Sequence, residues 1–328
     1  MFRLHRNENF FIEKEWTQQI LLEALKDLDL RIYPPEHGDA VRNVLADFHD
    51  IPKTRLFIGN GADAIIDLLT TLFARNSGSL VIQPTFPGYE FCITAKGGKI
   101  TQYLLNEDFS LDPQPLRQMI DKSIRIMFLA SPNNPTGNQF PQQTVKELLE
   151  SIKIPFVVDE AYADFAPYSV LKWDYENLIV LRSFSKSAAA AGVRLGYAVA
   201  NEEVIESLRQ IQPIFSVNSV AQCYIIKILQ NIIYVRKKIE ELKTERSHFF
   251  NHLQQVDGIR VYPSDATFFL IRILNTQAKD VVEKLKNEGI LVSDRSNEPL
   301  LKNCIRVAIG TRTMNNAFVY ALKRVLRE

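Results

Sequence analysis

Residues 15–30, EWTQQILLEALKDLDL, space their apolar side chains three and four apart, which predicts a helix with one buried face. The prolines and glycine of RIYPPEHGDA break it, and helical spacing resumes over 39–49. RLFIGNGADAIIDLLTTLFAR reads as a short apolar strand, a glycine-containing turn and a helix with apolar residues at 65, 66, 68, 69, 72 and 73. Several apolar runs then end in polar clusters. SLVIQ runs into PTFPGY, IRIMFLA into SPNNPTG, and NLIVLRS into FSK. PFVVDEAY follows the helical PQQTVKELLESIK, and GYAVAN comes last. Strands alternating with helices predict an α/β large domain, a mostly parallel sheet with helices on both faces. In such sheets the functional groups gather beyond the carboxyl ends of the strands, where these clusters fall.

Helical spacing then persists from about 220 to 256 and predicts a long connecting helix with a solvated second half. After Gly258 come IRVYPSDATFFLIRI, a helix at 277–288, GILVSD, CIRVAIG and a final helix at 313–327, a small α+β unit. The expected division is an N-terminal arm and helix (1–30) packing on the small domain, a large domain (31–235) and a small C-terminal domain (236–328).

Composition narrows the field. The chain has 328 residues, 46% of them hydrophobic, which is enough for a sizeable core. Its 39 basic residues balance 38 acidic ones, so nothing points to a polyanion partner. Cys92, Cys223 and Cys304 lie far apart, without the paired spacing of a zinc site, and fit a reducing compartment. The N-terminus lacks a signal-like apolar stretch. The greasiest segment, VAQCYIIKILQNIIYV, is interrupted by Lys227, Gln230 and Asn231 and suits an interior helix. A soluble cytoplasmic protein is expected, with no nucleic-acid, membrane or metal role.

Four clusters make chemical sense around one ligand, a flat aromatic ring carrying a phosphate and an aldehyde. The aldehyde of such a ligand needs an amine to form an imine, and Lys186 offers one. Ser183, Ser185, Arg194 and the backbone N–H groups after GNGAD are phosphate donors. Asp159 ends the apolar strand FVVD, where a lone carboxylate is costly unless it faces a protonated ring nitrogen. Asn134 and Tyr162 offer donors to a ring hydroxylate, and Phe86 a stacking face.

PNNPTG, VVDEAY, SFSK and RLGY, in that order, resemble the fold-type I pyridoxal-phosphate aminotransferases of class I/II. The spacing agrees: 25 residues from Asn134 to Asp159, 27 on to Lys186 and 8 on to Arg194. NEN, RIYP, GNGAD, PTFPGY and CIRVAIGT are similar to the histidinol-phosphate aminotransferases. The resemblance implies pyridoxal 5′-phosphate held by Lys186, which also shuttles the substrate proton. Asp159 would keep the ring nitrogen protonated, and Asn134 and Tyr162 would bind the ring hydroxylate. Gly61, Ala62, Asp63, Ser183, Ser185 and Arg194 would form the phosphate cup. Tyr33 would reach the phosphate of a neighbouring subunit in a homodimer, and Arg306 would grip the anionic end of the substrate, near Asn134. The activity implied is amino-group exchange between histidinol phosphate and 2-oxoglutarate.

Other readings stand beside these. Asp63 serves equally as a helix cap, Asp159-Glu160 as an N-cap pair, NNPTG as a turn, and Arg306 as the cation of a half-exposed strand. Where relatives continue from NEN into a Pro-Gly-Pro segment, this chain reads NENFFIEKEW. Ser293 stands thirteen residues before Arg306, where the resemblance leads one to expect a second arginine, and Arg295 either replaces it or faces solvent. An aromatic or broad-range amino-acid aminotransferase, a threonine-phosphate decarboxylase on the same fold, and a non-enzymatic cofactor-binding module are the competing functions.

Overall fold

The computed structural model describes residues 1–26 and 28–327. The chain opens with β1 (Phe2–Arg3), α1 (Lys14–Leu25) and α2 (Asp39–His49). A large α/β unit follows: β2 (Leu56–Gly59), α3 (Ala62–Leu69), β3 (Gly78–Gln83), α4 (Gly88–Ala95), β4 (Lys99–Leu104), α5 (Pro113–Gln118) and β5 (Ile124–Ala130). It continues with α6 (Gln142–Ser151), β6 (Phe156–Asp159), β7 (Leu178–Ser183), α7 (Phe184–Ser187), β8 (Gly196–Val199) and α8 (Glu202–Ile211). Then come α9 (Ser219–Gln230), α10 (Ile232–Leu253), β9 (Ile259–Val261), β10 (Phe268–Ile273), α11 (Ala278–Asn287), β11 (Ile290–Leu291), β12 (Ser293–Asp294), β13 (Cys304–Ala308) and α12 (Arg312–Val325).

Seven strands form one sheet in the order β2-β8-β7-β6-β5-β3-β4. The run from β7 to β4 is parallel, and β8 is antiparallel to both of its neighbours. The alternation along each strand buries both faces. Leu80, Ile82, Val158 and Val180 belong to one core, while Val81, Phe128, Val157 and Leu181 belong to the other. This period of two also aims the strand ends. Asp159 and Ser183 fall on the face of Val157 and Leu181, whereas Glu160 and Arg182 turn the other way. There Arg182 is buried against Glu160 and Asp164.

A second, four-stranded sheet, β12-β13-β10-β9, is antiparallel throughout. The α/β sheet and the smaller α+β sheet agree with the expected fold class. Two details differ from expectation. The helical run over 220–256 is two helices, because Asn231, at φ −109° and ψ 26°, leaves the helix and its side-chain amide closes α9 on the Lys227 carbonyl (2.9 Å). The N-terminal helix, expected on the C-terminal unit, packs on α9 and the start of α10, where Trp16 stacks on Tyr234 at 4.4 Å. The arm ahead of it does join the C-terminal unit, with β1 parallel to β11. The helix also ends at Leu25; Asp27, within the expected span, lies outside the described residues.

Candidate active site

A cavity of about 540 Å³ opens at the carboxyl ends of β5, β6 and β7. It takes residues from the N-terminal arm (His5 to Glu8), the start of α3, the β6 and β7 ends, and the β12–β13 edge. Of the residues singled out in the sequence, Ala62, Asp63, Phe86, Asn134, Asp159, Tyr162, Ser183, Ser185, Lys186, Arg194 and Arg306 line it together.

One side is built for an anion. β2 ends at Gly59, and Gly61 at φ +84° turns the chain into α3, whose first N–H groups have no helical partner. A Cβ on Gly61 would sit 2.7 Å from Arg194 Nη2, so only glycine lets the turn approach that guanidinium. Arg194, itself held at φ +57°, donates to Asp63 Oδ2 (2.9 Å) and makes a long contact with Ser185 Oγ (3.5 Å). Asp63 lies in the first turn of α3, and its carboxylate accepts from the arginine. Ser183 caps the short α7, accepting from Ser185 N–H. This short helix sets Lys186 against the arm, its Nζ donating to the Arg6 carbonyl at 3.0 Å.

The floor is Asp159. Its side chain is buried, with Oδ2 accepting from the Tyr89 hydroxyl (2.6 Å) and Oδ1 from Ala161 N–H (3.0 Å). Burial pushes its pKa up, opposed by the bonds from Tyr89 and Ala161. Tyr89 is fully buried, and burial beside that carboxylate drives its phenol pKa well up. Phe86 meets Tyr89 edge-on at 5.6 Å, and Tyr162 accepts from Asn7 across 2.9 Å.

The far side is cationic. Arg306 is buried, with Nη1 donating to Asn134 Oδ1 (2.5 Å) and Nη2 to the His5 carbonyl (2.7 Å). Burial and the neighbouring Arg295 lower its pKa to about 10. Arg295 lines the same cavity and bonds Glu298 at 2.6 Å, so it does not face solvent. Burial raises the Glu298 carboxyl, against the pull of Arg295.

Tyr33 stands apart from this cavity; it is 77% exposed and stacked on Phe215 at 4.6 Å. Sequence reading gave no part to Tyr89, Asn7, His5 or Arg6. Tyr89 lay within the quoted PTFPGY and Asn7 within NEN, but neither sequence says which side chain it meets.

Residues 2–322 match the family described as Aminotransferase class I and II. The chain belongs to that family. It is 32% identical to a histidinol-phosphate aminotransferase of Clostridium novyi (strain NT), over 98% of this chain and 90% of the relative. The crystal structure of a histidinol-phosphate aminotransferase from Clostridium acetobutylicum superposes with a TM-score of 0.91 at 25% identity, covering 100% of this chain and 99% of that one. That of the Sinorhizobium meliloti histidinol-phosphate aminotransferase, solved in complex with pyridoxal-5′-phosphate, also gives 0.91, at 21% identity over 99% and 90% of the two chains. This aminotransferase is a transferase that uses pyridoxal 5′-phosphate. The donor set fits that group: a glycine cradle against a guanidinium for a phosphate, an amine, and a buried carboxylate suited to a cationic ring nitrogen.

Proposed function

We propose that this aminotransferase moves the amino group of histidinol phosphate to 2-oxoglutarate, giving imidazole acetol phosphate and glutamate. The observation that carries this reading is the convergence on one cavity of Lys186, buried Asp159 and buried Arg306, the last with its Nε lacking a partner among the described residues. An amine, a carboxylate for a ring cation and a guanidinium for an anionic substrate end are thereby in reach of one small molecule. The names of the relatives supply the donor.

When bound, pyridoxal phosphate supplies an electron sink that stabilises negative charge at the donor's α-carbon. The chain's residues do the rest. Arg194, Ser183, Ser185 and the N–H groups at Gly61, Ala62 and Asp63 hold the phosphate. Asp159 would keep the ring nitrogen protonated, its buried charge favoured by that cation. Asn134 and Tyr162 would donate to the ring hydroxylate, and Phe86 would offer a stacking face. Lys186 Nζ would hold the cofactor through its aldehyde and would serve as the base for the proton at the donor's α-carbon. Arg306 fixes the donor's anionic end so that the bond to be broken stays in reach of Nζ.

The same reading takes the protein as a cytoplasmic homodimer. Leu30, Ile32, Tyr33, Ile214 and Phe215 form an exposed apolar group joined by the His37 N–H bond to the Ile214 carbonyl (2.8 Å), a face suited to a second copy. Tyr33 would extend from it to the partner's phosphate. The arm (1–30), large domain (31–235) and small domain (236–328) would then close on the site.

The test is a single-turnover spectrum of the cofactor-loaded protein with histidinol phosphate, phenylalanine or phosphothreonine, each without oxo acid. Conversion of the visible band to the amine form with histidinol phosphate is expected. Conversion with phenylalanine alone would establish a broad amino-acid enzyme, and carbon dioxide release from phosphothreonine a decarboxylase.

A further inference from the structure

We propose that Arg182 is a positioning residue for the cofactor: from the reverse face of the large sheet it ties together the segments that carry Asp159, Tyr162 and Ser183. The inference rests on the reading above for the cofactor roles of those three residues, and not on which amino donor is used.

Alternation along the strands carries the argument. Each member of the Arg182 cluster lies one or two positions from a residue of the site. Arg182 precedes Ser183 on β7, and Glu160 follows Asp159 at the end of β6. Asp164 sits in the short 3-10 turn (Ala163–Phe165) that follows Tyr162. Tyr197 follows Gly196 on β8, and a Cβ on Gly196 would lie 2.6 Å from Ala62 N, at the phosphate turn. Successive side chains on a strand point to opposite faces, so the site residues face the cavity and their neighbours face the cluster.

One guanidinium joins these elements. Arg182 Nη1 donates to Glu160 Oε2 (3.2 Å) and Nη2 to Asp164 Oδ1. Tyr197, directly opposite Arg182 in the β7–β8 ladder, is a third hydrogen-bond partner. The Glu160 carboxylate is held in turn by Val170 N–H (2.6 Å) and the Ser169 hydroxyl (2.5 Å). The β6–β7 ladder runs out at the Glu160 N–H bond to the Leu181 carbonyl (2.9 Å), and the Arg182–Glu160 pair continues the tie beyond it. The Arg182 side chain is 10% exposed and that of Glu160 1%, so solvent does not loosen the pair as it would a surface bridge. A buried ion cluster adds little net stability over apolar packing, but its planar fork fixes direction and distance. A rigid ring gripped at its nitrogen by Asp159 and at its phosphate by the Ser183 side is sensitive to that spacing.

The test reads the cofactor rather than turnover. Arg182→Lys keeps the charge but loses the fork that reaches three partners, and Glu160→Gln keeps the shape but not the charge. Leu322→Ala, a buried change in the C-terminal unit, is the control for lost stability. Each folded protein is titrated with pyridoxal phosphate by fluorescence, and visible circular dichroism is recorded per bound cofactor. Both cluster variants are expected to raise the dissociation constant about 10- to 100-fold and to weaken the dichroism, while the control changes the constant less than about threefold. If Arg182→Lys does not fold, Glu160→Gln, which leaves Arg182 its bond to Asp164, decides. Wild-type affinity and dichroism in the folded cluster variants overturn the proposal. Asp159→Asn and Ser183→Ala separate the two ways of failing. If they weaken binding and the cluster variants do not, only the role of Arg182 falls; if they too bind as wild type, the cofactor roles fall and the proposal with them.

Discussion

The Tyr89 hydroxyl donates to Asp159 Oδ2 across 2.6 Å at the buried end of β6. A carboxylate there, without a cation, is an expense to the cofactor-free fold, and burial raises its pKa accordingly. The sign follows. A carboxyl whose folded pKa is raised contributes stability below its unfolded value, near 3.9, and loses it as pH rises through the folded value. Cofactor-free Asp159→Asn, permanently neutral, is expected to be more stable than wild type at neutral pH. The gap should close as pH falls through the raised folded value toward about 4. Thermal unfolding across pH checks this, and no gap at neutral pH refutes it. The loaded variant should lose about 10²-fold or more in kcat.

Gly61→Ala sets a Cβ 2.7 Å from Arg194 Nη2 at a residue held at φ +84°. The guanidinium can yield, so the strain at that positive φ dominates and is expected to cost about 1 to 3 kcal/mol at the turn proposed to hold the phosphate. The dissociation constant for pyridoxal phosphate should rise about 10- to 100-fold, read by fluorescence titration. Unchanged affinity would remove the turn from the phosphate site.

Burial lowers the pKa of His49 to about 4, against an ordinary value of 6.5, and its Nε2 lies 2.7 Å from the Tyr197 hydroxyl. The unfolded chain binds the proton first, so stability is complete above about 6.5 and is lost as pH falls toward 4. The difference is on the order of 3 kcal/mol. His49→Gln should flatten the acid limb of a chemical-denaturation profile by that amount. Parallel limbs in the two proteins would rule out His49 as its source.

Much of this site could be read in the sequence because its groups sit at strand ends. The alternation that buries Val157 and Leu181 also aims Asp159 and Ser183, so local pattern and site geometry share a cause. What the sequence did not disclose are contacts across the fold. Asn7 reaches Tyr162, 155 positions away, and Tyr89 reaches Asp159, 70 away; a hydrogen bond between distant side chains leaves no periodic trace. Strands β11 and β12 have two residues each, too few to show alternation, so the facing of Arg295 stayed open until the register was known. The break between α9 and α10 rests on a single asparagine inside continuous helical spacing.

Arg306 can be tested by the shape of its charge. Its two outer nitrogens are committed to Asn134 and His5, and lysine, a point charge on a flexible stem, keeps the cation but cannot hold both partners and still present an edge to substrate. Arg306→Lys is expected to lower kcat/KM for the amino donor about 10²-fold, through the loss of one or two charge-assisted hydrogen bonds. The visible band of the loaded enzyme should be unchanged, because Arg306 is proposed to grip the substrate rather than the cofactor. A shifted band would instead mean that Asn134, released by Arg306, had altered the cofactor's surroundings. The conservative exchange therefore separates grip on the substrate from support of Asn134, which removal of the whole side chain would merge.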